Sequence, residues 1–553
     1  MEESSKARQL IAEHEARAGE RTAWDTRWQR VQEWFTPHRA HVMDRQDPPG
    51  NVYRSRIHDT KGISSANVLA QGHMSYITPM NEQWFAFAPS VRESGSEQHK
   101  SWFKECTEVA IRMLSQSNFY TVINSVFRDR STLGTGCLFL NKGKSKPLNF
   151  QYVEIGTYTV AEDEDGVVNT LSRELEYTVM QAADKFGKDQ LGAKLRSVYE
   201  QAMAGDSREL TSKYRFIHVV QPNREHDPGK LDSRAYLSHY ICCTDEQVVE
   251  EGGFYEFPFL VTRYERWGNH PWGFSPAYNA MPNVLSANFM KKILKLLGET
   301  AALPRVLELA DQKHNVDMRA GGRTVVSEKA AAMGFPREWG TGGSFQAGQF
   351  LIEQEHEQIE MFFHVPLFQM FAQLQKQMTA TEVAARESEK LLMFAPSFVQ
   401  FVSDMEPLMQ RMFSLLLRED YFPPAPEGLA RETGEEGLVA LDTPVIEYQS
   451  KLALAIKQLE TMGLDRVMQR AAMIAQYDPG VLDNFDFDGM VRDMARNEGF
   501  PERWLVKLEE MEQLREQRAQ AQQQAEQMAQ MGQAAEAVGK AGIDPAQAIQ
   551  AML

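Results

Sequence analysis

The chain has 553 residues, which is too long for a single hydrophobic core, so we predict several packed regions. Hydrophobic residues make up 42% and charged residues 24%, as in an ordinary folded protein, and no window approaches the roughly 18 consecutive apolar residues that cross a bilayer. The formal net charge of −17 argues against a surface that binds a nucleic-acid backbone tightly, so we expect any DNA to slide past this protein.

The first part of the chain is predicted to be helical. Apolar residues recur at helical spacing through residues 1–35, and Pro37 ends the pattern. Further helices are predicted over about 58–77, 98–117 and 118–133. Trp84 and Phe85 follow the second helix, and we expect them to fix its end to the core, although plain core packing of two aromatic residues would look the same.

A β-rich region is predicted next, over 137–265. Gly134 and Gly136 break the helical pattern before it. Short strands are predicted at 138–140, 150–153, 158–161, 216–221, 236–242 and 259–266. A helical insert is expected at about 178–204.

Two apolar helices are predicted on either side of a glycine-punctuated segment, 300–348. Ser275-Pro276 is a typical helix start and opens a helix over 276–299. The far end of that helix is basic and carries Lys291, Lys292 and Lys295.

The second of these helices is predicted over 350–376, and its start is acidic, with Glu353 and Glu357 among four glutamates. A basic end beside an acidic start favours antiparallel pairing of the two helices, within one subunit or between subunits. Two solvated faces are the alternative, because exposed ion pairs contribute little.

A long helix is predicted from Thr379 to about Asp420, with a break at Pro396. Thr379 fits the N-cap position and Glu382 the third helical position, so the two side chains can satisfy two backbone N–H groups reciprocally. A Pro/Gly-rich linker is expected over 421–445 and shorter helices over 446–500.

The last segment, from Pro501 onward, reads as a helix rich in alanine and glutamine with few large apolar side chains. Such a helix cannot bury itself in a monomer. We interpret it either as a disordered tail or as one stave of a barrel built from many copies.

The sequence contains no complete motif of catalysis or metal binding. There is no G-x-x-x-x-G-K-[ST] motif, and no H-E-x-x-H or Cys/His spacing for a metal. The run N-F-D-F-D-G at 484–489 mimics half of an EF-hand loop, but Ala495 stands where the loop needs a bidentate glutamate. The four cysteines include no C-x-x-C, so we expect free structural thiols. We therefore predict neither an enzyme nor a cofactor.

Several blocks, in order, carry a family resemblance over about 28–504. They are W-F at 84–85, W-G-F-S-P at 272–276, M-T-A-T-E-V at 378–383, P-P-A-P at 423–426 and I-E-Y-Q-S-K-L-A at 446–453. This series resembles the head-to-tail connector, or portal, proteins of short-tailed bacteriophages. The resemblance implies a mainly α subunit with a mixed α+β wing, a small α/β clip, long stem helices and a C-terminal barrel helix, in a ring of typically twelve copies.

The same resemblance implies a division of the chain. Residues 1–275 would form the wing, 276–299 the first stem helix, 300–348 the clip and 350–376 the second stem helix. Residues 377–439 would form a tunnel loop and a long wing helix, 440–500 the crown and 501–553 the barrel.

The resemblance also implies residue roles. The candidate channel and stem residues are Lys291, Lys292, Lys295, Glu353, Glu357, Gln377 and Thr379. The candidate structural motif comprises Trp84, Phe85, Thr379, Thr381 and Glu382.

In function, the family implies a ring at one vertex of the capsid, through which double-stranded DNA enters and leaves without sequence-specific binding. The implied partners are further copies of the chain, the terminase, capsid and scaffold proteins, and tail or adaptor proteins, with no membrane. The expected location is the virion, after synthesis in the host cytoplasm; the polar start Met-Glu-Glu-Ser-Ser-Lys has no signal-peptide core.

Two other classes remain open. A packaging-associated nuclease or ATPase is disfavoured by the missing Walker motif and the missing metal-carboxylate cluster. A cytoplasmic scaffold that polymerises through the Ala/Gln-rich tail would form open filaments rather than a closed ring.

Overall fold

A computed structural model gives the fold. It describes residues 2–39, 56–89, 97–143, 146–227, 233–268, 270–302, 306–307, 328–333, 337–338, 345–368, 395–426, 429–432, 439–441, 444–449, 467–468, 470–477, 479–497, 506, 511, 514–518 and 520–522. The chain divides into two compact units, 1–456 and 457–553.

Twelve helices have bounds within the described residues. They are α1 Glu2–Phe35, α2 Lys61–Ile77, α3 Glu97–Gln116, α4 Phe119–Thr132, α5 Val179–Phe186, α6 Ala193–Met203, α7 Ser207–Thr211, α8 Pro276–Ala302, α9 Glu328–Met333, α10 Phe345–Phe362, α11 Ala395–Arg418 and α12 Phe487–Asn497. Short 3-10 turns are found at Lys188–Gln190 and Pro479–Asn484.

The strands form antiparallel sheets. Their bounds are β1 Phe85–Ala88, β2 Thr135–Asn141, β3 Asn149–Val153, β4 Tyr158–Glu162, β5 Val168–Thr178, β6 Lys213–Pro222, β7 Tyr236–Cys242, β8 Gln247–Phe254, β9 Phe259–Arg263, β10 Val306–Leu307, β11 Arg337–Glu338, β12 Ala430–Glu432, β13 Val439–Leu441 and β14 Val445–Tyr448. One sheet has the order β3-β2-β9 and another the order β4-β5-β6-β7-β8. Three two-stranded sheets pair β1 with β14, β10 with β11, and β12 with β13.

The main core of the first unit lies where α1, α2, α4 and α11 meet the three-stranded sheet. Strand β2 is buried along nearly its whole length, because α4 and neighbouring strands cover it. The N-terminal end of α1 packs in a second apolar cluster. There Ala7 and Leu10 contact Ile217, Val219 and Ile241 of the five-stranded sheet. Helix α1 therefore joins two apolar clusters.

The predicted N-terminal helices and the six predicted strands are confirmed, as is the helical insert, which contains α5 and α6. Helix α5 begins with a capping box between Thr178 and Gln181. The sequence analysis missed β1, β5, β8 and β11. The predicted linker over 421–445 contains β12 and β13, and the region predicted to hold helices from 446 onward begins within β14 instead.

The predicted helix over 350–376 has the wrong bounds. Helix α10 begins at Phe345 and ends at Phe362, and His364 then has a positive φ of 53°. Pro366 follows two residues later, at the start of a further helical segment described over 365–368, and a proline lacks the N–H that continuation of α10 would need. Helix α8 extends slightly beyond its predicted end, to Ala302. Residues 369–394, including the predicted helix start at Thr379, lie outside the described residues.

The second unit contains α12, and Arg515 pairs with Asp488 of that helix. The predicted barrel segment lies largely outside the described residues.

Candidate functional site

Helices α8 and α10 pack side by side and run antiparallel. Leu294 of α8 lies against Gly348 of α10, where an added Cβ would come within 2.6 Å of the leucine side chain. Nearer the start of α8, Glu355 accepts hydrogen bonds from Asn283 Nδ2 at 2.7 Å and from Ser286 Oγ at 2.8 Å. We call this pair of helices the α8–α10 hairpin.

Beyond Asn288 of α8, the hairpin exposes large apolar side chains. Phe289, Ile293 and Leu296 are all exposed on α8, and we call these three residues the apolar stripe. At about 100° per residue they lie within roughly 60° of one another around the helix axis. Helix α10 exposes Phe345, Phe350, Leu351 and Met361 as well. Exposed apolar surface of this kind is typical of a surface that another protein covers.

The lysines of α8 occupy a different face. Lys292 and Lys295 are exposed and lie about 90° around the helix from the apolar stripe, on the side away from α10. Glu353 and Glu357 are exposed on α10. Among the ion pairs of the described residues within this one chain, none joins either glutamate to a lysine of α8.

Lys291 contacts the body of the unit, not α10. Its Nζ lies 3.1 Å from Oδ2 of Asp59, a carboxylate that is almost fully buried just before α2. The same oxygen is 2.9 Å from Nε2 of His356 on α10, and the other carboxylate oxygen accepts the Lys61 backbone N–H. One residue therefore joins both helices of the hairpin to the start of α2.

Further contacts surround Asp59. Oδ1 of Asn288 on α8 accepts the backbone N–H groups of His58 and Asp59, and Asn288 Nδ2 donates to the Arg56 carbonyl. Lys61 forms an ion pair with Glu360 of α10. We call the polar contacts of residues 56–61 with α8 and α10 the Asp59 latch.

The pKa of Asp59 is lowered. Burial alone would raise the pKa of this carboxyl, but the Lys61 backbone N–H, Lys291 and His356 together stabilise the charged form more. A lowered folded-state pKa means that the contribution to stability is fully present above the unfolded-state pKa and is lost as the pH falls through the folded-state value.

The structure describes only part of the candidate structural motif. Trp84 and Phe85 are fully buried. Phe85 pairs with Tyr448 in the β1–β14 sheet, so two of the sequence blocks that carry the family resemblance are neighbours in space. Gln377, Thr379, Thr381 and Glu382 lie outside the described residues.

Sequence reasoning gave no role to Asp59 and named Glu355 only as one of four glutamates at the acidic start of the second helix, although these two carboxylates organise the hairpin. Asn283 and Ser286, polar residues three apart on an apolar helix, were the available signal for a polar partner across the helix pair. Asp59 lies in the block R-S-R-I-H-D-T-K-G before α2, but no local signal predicts its contacts with Lys291 and His356, because these residues are 232 and 297 positions away in the sequence.

Within the described residues, no group of three or more His, Cys, Asp or Glu side chains is arranged to hold a metal ion. A search of the described helices finds none that is both long and apolar enough to cross a membrane.

Comparison with known proteins gives a consistent answer. The sequence profile of the family "Bacteriophage head to tail connecting protein" matches residues 7–506. A "Probable portal protein" of Bordetella phage BPP-1 is 27% identical over 497 residues, which cover 88% of this chain and 86% of the relative. A "Portal protein" of Salmonella phage epsilon15 is 25% identical over 522 residues, which cover 92% and 90%. Among solved structures, a chain of a "Virion of native gene transfer agent (GTA) particle" is similar with 12% identity and a TM-score of 0.33, over 74% of this chain and 86% of that one.

Proposed function

The chain belongs to the bacteriophage head-to-tail connecting protein family, and we propose that it is a portal subunit, twelve copies of which close into a ring at the capsid vertex. The names of two relatives that align with most of the chain support the portal assignment. In this proposal the ring is the channel for DNA packaging and ejection, and it docks the terminase first and tail or adaptor proteins later. Capsid and scaffold proteins surround it in the virion.

The observation that carries the ring proposal is the apolar stripe of α8. A closed ring with one repeated contact needs two unlike surfaces on each subunit. The stripe supplies one of them, because Phe289, Ile293 and Leu296 are exposed in the isolated chain and would be buried by the neighbouring copy.

With the stripe covered by a neighbour, the adjacent lysine face of α8 is left open. We assign Lys292 and Lys295 to the channel surface, where twelve copies would place rings of positive charge along the DNA. The strongly acidic chain around them would keep the backbone from sticking, so the contact stays weak and independent of base sequence.

The direct test of the ring is native mass spectrometry of the purified chain together with electron-microscopy class averages. We expect one species near twelve times 63.0 kDa with a central hole. A monomer or dimer under conditions that preserve assemblies would contradict the proposal, and open filaments would favour the scaffold alternative.

Leu296→Glu should reduce ring formation at least tenfold at a fixed protein concentration. Each interface would lose the burial of one leucine, about 1.5–3 kcal/mol, and would bury an unpaired carboxylate instead. The measurement is the ring fraction in native mass spectra. The matched control is Leu210→Glu on α7, an equally drastic change at an exposed leucine outside the hairpin, which should leave the rings intact. Equal ring loss in both variants, or in neither, would argue against the stripe as the interface.

The double variant Lys292→Gln/Lys295→Gln should keep the rings and weaken their association with linear double-stranded DNA. The slope of the logarithm of the binding constant against that of the salt concentration should become shallower by roughly 0.9 for each phosphate that no longer pairs with a lysine. Fluorescence anisotropy with a labelled duplex measures this slope. Lys188→Gln/Lys213→Gln removes two exposed lysines outside the hairpin and serves as the control. An unchanged slope in the α8 variant would show that Lys292 and Lys295 do not contact the DNA, and would contradict their assignment to the channel surface.

A further inference from the structure

The α8–α10 hairpin has two opposite sides, and the Asp59 latch marks one of them. Lys291 of α8 and His356 of α10 both contact the Asp59 carboxylate, so they lie on the same side of the helix pair. At about 100° per residue, the apolar stripe lies roughly 140–160° around α8 from Lys291. The stripe therefore lies on the side of the hairpin away from the latch, and we call the other side the latch side.

The latch side also carries exposed side chains beyond the latch itself. Gln349 and Phe345 lie about two and three turns nearer the start of α10 than His356, and both are within roughly 20° of it around the helix axis. The side chain of Phe345 is 49% exposed, and Gln349 is exposed as well. The hairpin thus has an exposed phenylalanine on the side opposite the stripe.

Phe345 and Leu296 also lie at the same height along the hairpin. The contact of Leu294 with Gly348 fixes the register of the two antiparallel helices. Leu296 lies about 3 Å beyond Leu294, in the direction away from the core. Phe345 lies about 4.5 Å beyond Gly348 in that same direction. The two side chains therefore differ in height by only about 1.5 Å.

Equal height brings opposite sides together in a closed ring. Rotation about the ring axis carries every atom to the same height in the next copy, so hairpins that run along the axis meet at equal heights. Leu296 of one copy then faces Phe345 of the next. A tilted hairpin shifts the contact along α10, and Gln349 lies about one turn from Phe345 on the same side.

Another exposed phenylalanine of α10 does not fit this contact. Phe350 lies about 160° around the helix from Gly348, which packs against α8, so it is on the outer edge of the helix pair. It is also about 140° around the helix from Phe345. A copy that covers the stripe with its latch side leaves Phe350 outside the contact.

We propose that Phe345 and Gln349 form the second surface of the ring contact, on which the apolar stripe of the adjacent copy packs, with Leu296 against Phe345. The inference rests on the proposed function and names the partner of the stripe, which is the latch side of a second copy of this chain. Because the two surfaces differ, the contact is heterologous and can repeat around a ring.

Disulfide trapping tests this pairing. Cys243→Ser first removes the one native cysteine that is not fully buried. Leu296→Cys and Phe345→Cys chains are then co-expressed with different tags and oxidised. We expect a crosslinked dimer that contains both tags, roughly tenfold or more above any dimer of either chain alone, because a disulfide requires Cα atoms within about 7 Å. A chain with both substitutions should give a ladder of crosslinked species on a non-reducing gel.

The matched control combines Leu296→Cys with Phe350→Cys, which places the second cysteine at another exposed phenylalanine of the same helix. It should give no more dimer than the single variants. The pair Ile293→Cys and Gln349→Cys tests the same contact about one turn nearer the core. This second pair decides the question if the first pair impairs folding or assembly.

Three results would overturn the proposal. They are a dimer of Leu296→Cys chains alone, which indicates a symmetric contact, equal crosslinking in the Phe350→Cys control, and rings in which neither pair crosslinks. Native mass spectrometry counts the rings separately, so rings without these crosslinks leave the portal assignment standing. If the chain forms no ring, the proposed function is contradicted, and the two-tag crosslink still decides whether the two surfaces meet.

Discussion

Trp84→Ala should lower the free energy of unfolding by about 3–5 kcal/mol, the usual cost of truncating a fully buried tryptophan. Its ring is fully buried and stacks on Phe119 with centroids 6.1 Å apart. Phe85 lies against one edge at 4.7 Å, and Tyr448 of β14 is 6.4 Å away. The alanine variant would leave a large cavity at the junction of β1, β14 and α4.

The backbone around Trp84 makes relaxation into that cavity difficult. Its carbonyl accepts the N–H of Gln449 at 2.8 Å, which extends the β1–β14 pairing, and its ring Nε1 donates to the Tyr120 hydroxyl at 3.4 Å. Collapse would have to disturb a strand pair whose two members are far apart in the sequence.

Urea denaturation followed by circular dichroism measures this effect, at one fixed protein concentration because assembly also stabilises the fold. Trp267→Ala is the matched control, since this side chain is 73% exposed, and it should change the free energy by no more than about 0.5 kcal/mol. A Trp84→Ala value below about 1 kcal/mol would show that the W-F block is not a structural centre of the fold.

The elements that the sequence predicted correctly have strong local patterns. Helices α1 to α4 carry apolar residues at helical spacing, and strands β2 and β9 contain the short apolar runs Cys137–Leu140 and Phe259–Val261. Strands β5 and β8 lack such patterns. The sequence of β5 includes Arg173 and two glutamates, and β8 contains two glutamates and two glycines. They are strands because neighbours in the five-stranded sheet supply hydrogen bonds, and this tertiary effect is invisible in local propensity.

The sequence also predicts part of the candidate site. The two helices, their order and the lysines of α8 follow from the sequence. The end of α10 was misjudged because an apolar run continues past Pro366, and the proline signal was given too little weight. Within the chain, Lys291 pairs with Asp59 rather than with a glutamate of α10. Asp59, far away in sequence, is buried beside Lys291, and its charge needs a partner more than an exposed glutamate does.

Arg263→Met should lower the free energy of unfolding by about 3–5 kcal/mol. Arg263 lies at the end of β9 and is almost fully buried. One side of its guanidinium pairs with Glu162 of β4, and its Nη2 lies 3.1 Å from Oδ1 of Asp404 on α11. A single cation thus joins two sheets and a helix through two carboxylates.

The two carboxylates would respond differently to the loss of the cation. Glu162 keeps Arg266, whose Nη2 lies 3.2 Å away. Asp404 keeps two neutral donors, the backbone N–H of residue 263 at 2.9 Å and Gln400 Nε2 at 2.9 Å, together with the longer-range electrostatic attraction of the buried Arg130. A buried carboxylate that has lost its directly paired cation is the expensive product of this substitution.

Urea denaturation measures the loss, and two further variants separate charge from packing. Arg418→Met removes a half-exposed arginine that pairs with Glu256, and it should cost about 1 kcal/mol or less. Adding Asp404→Leu to Arg263→Met removes the unpaired carboxylate, but it also removes the negative charge that favours the charged form of the fully buried Arg130, and the backbone N–H of residue 263 loses its acceptor. The double variant should therefore recover at most a small part of the stability. If Arg263→Met costs no more than Arg418→Met, the triad is not held together by charge. The packing of α11 against β9 would then carry the junction alone.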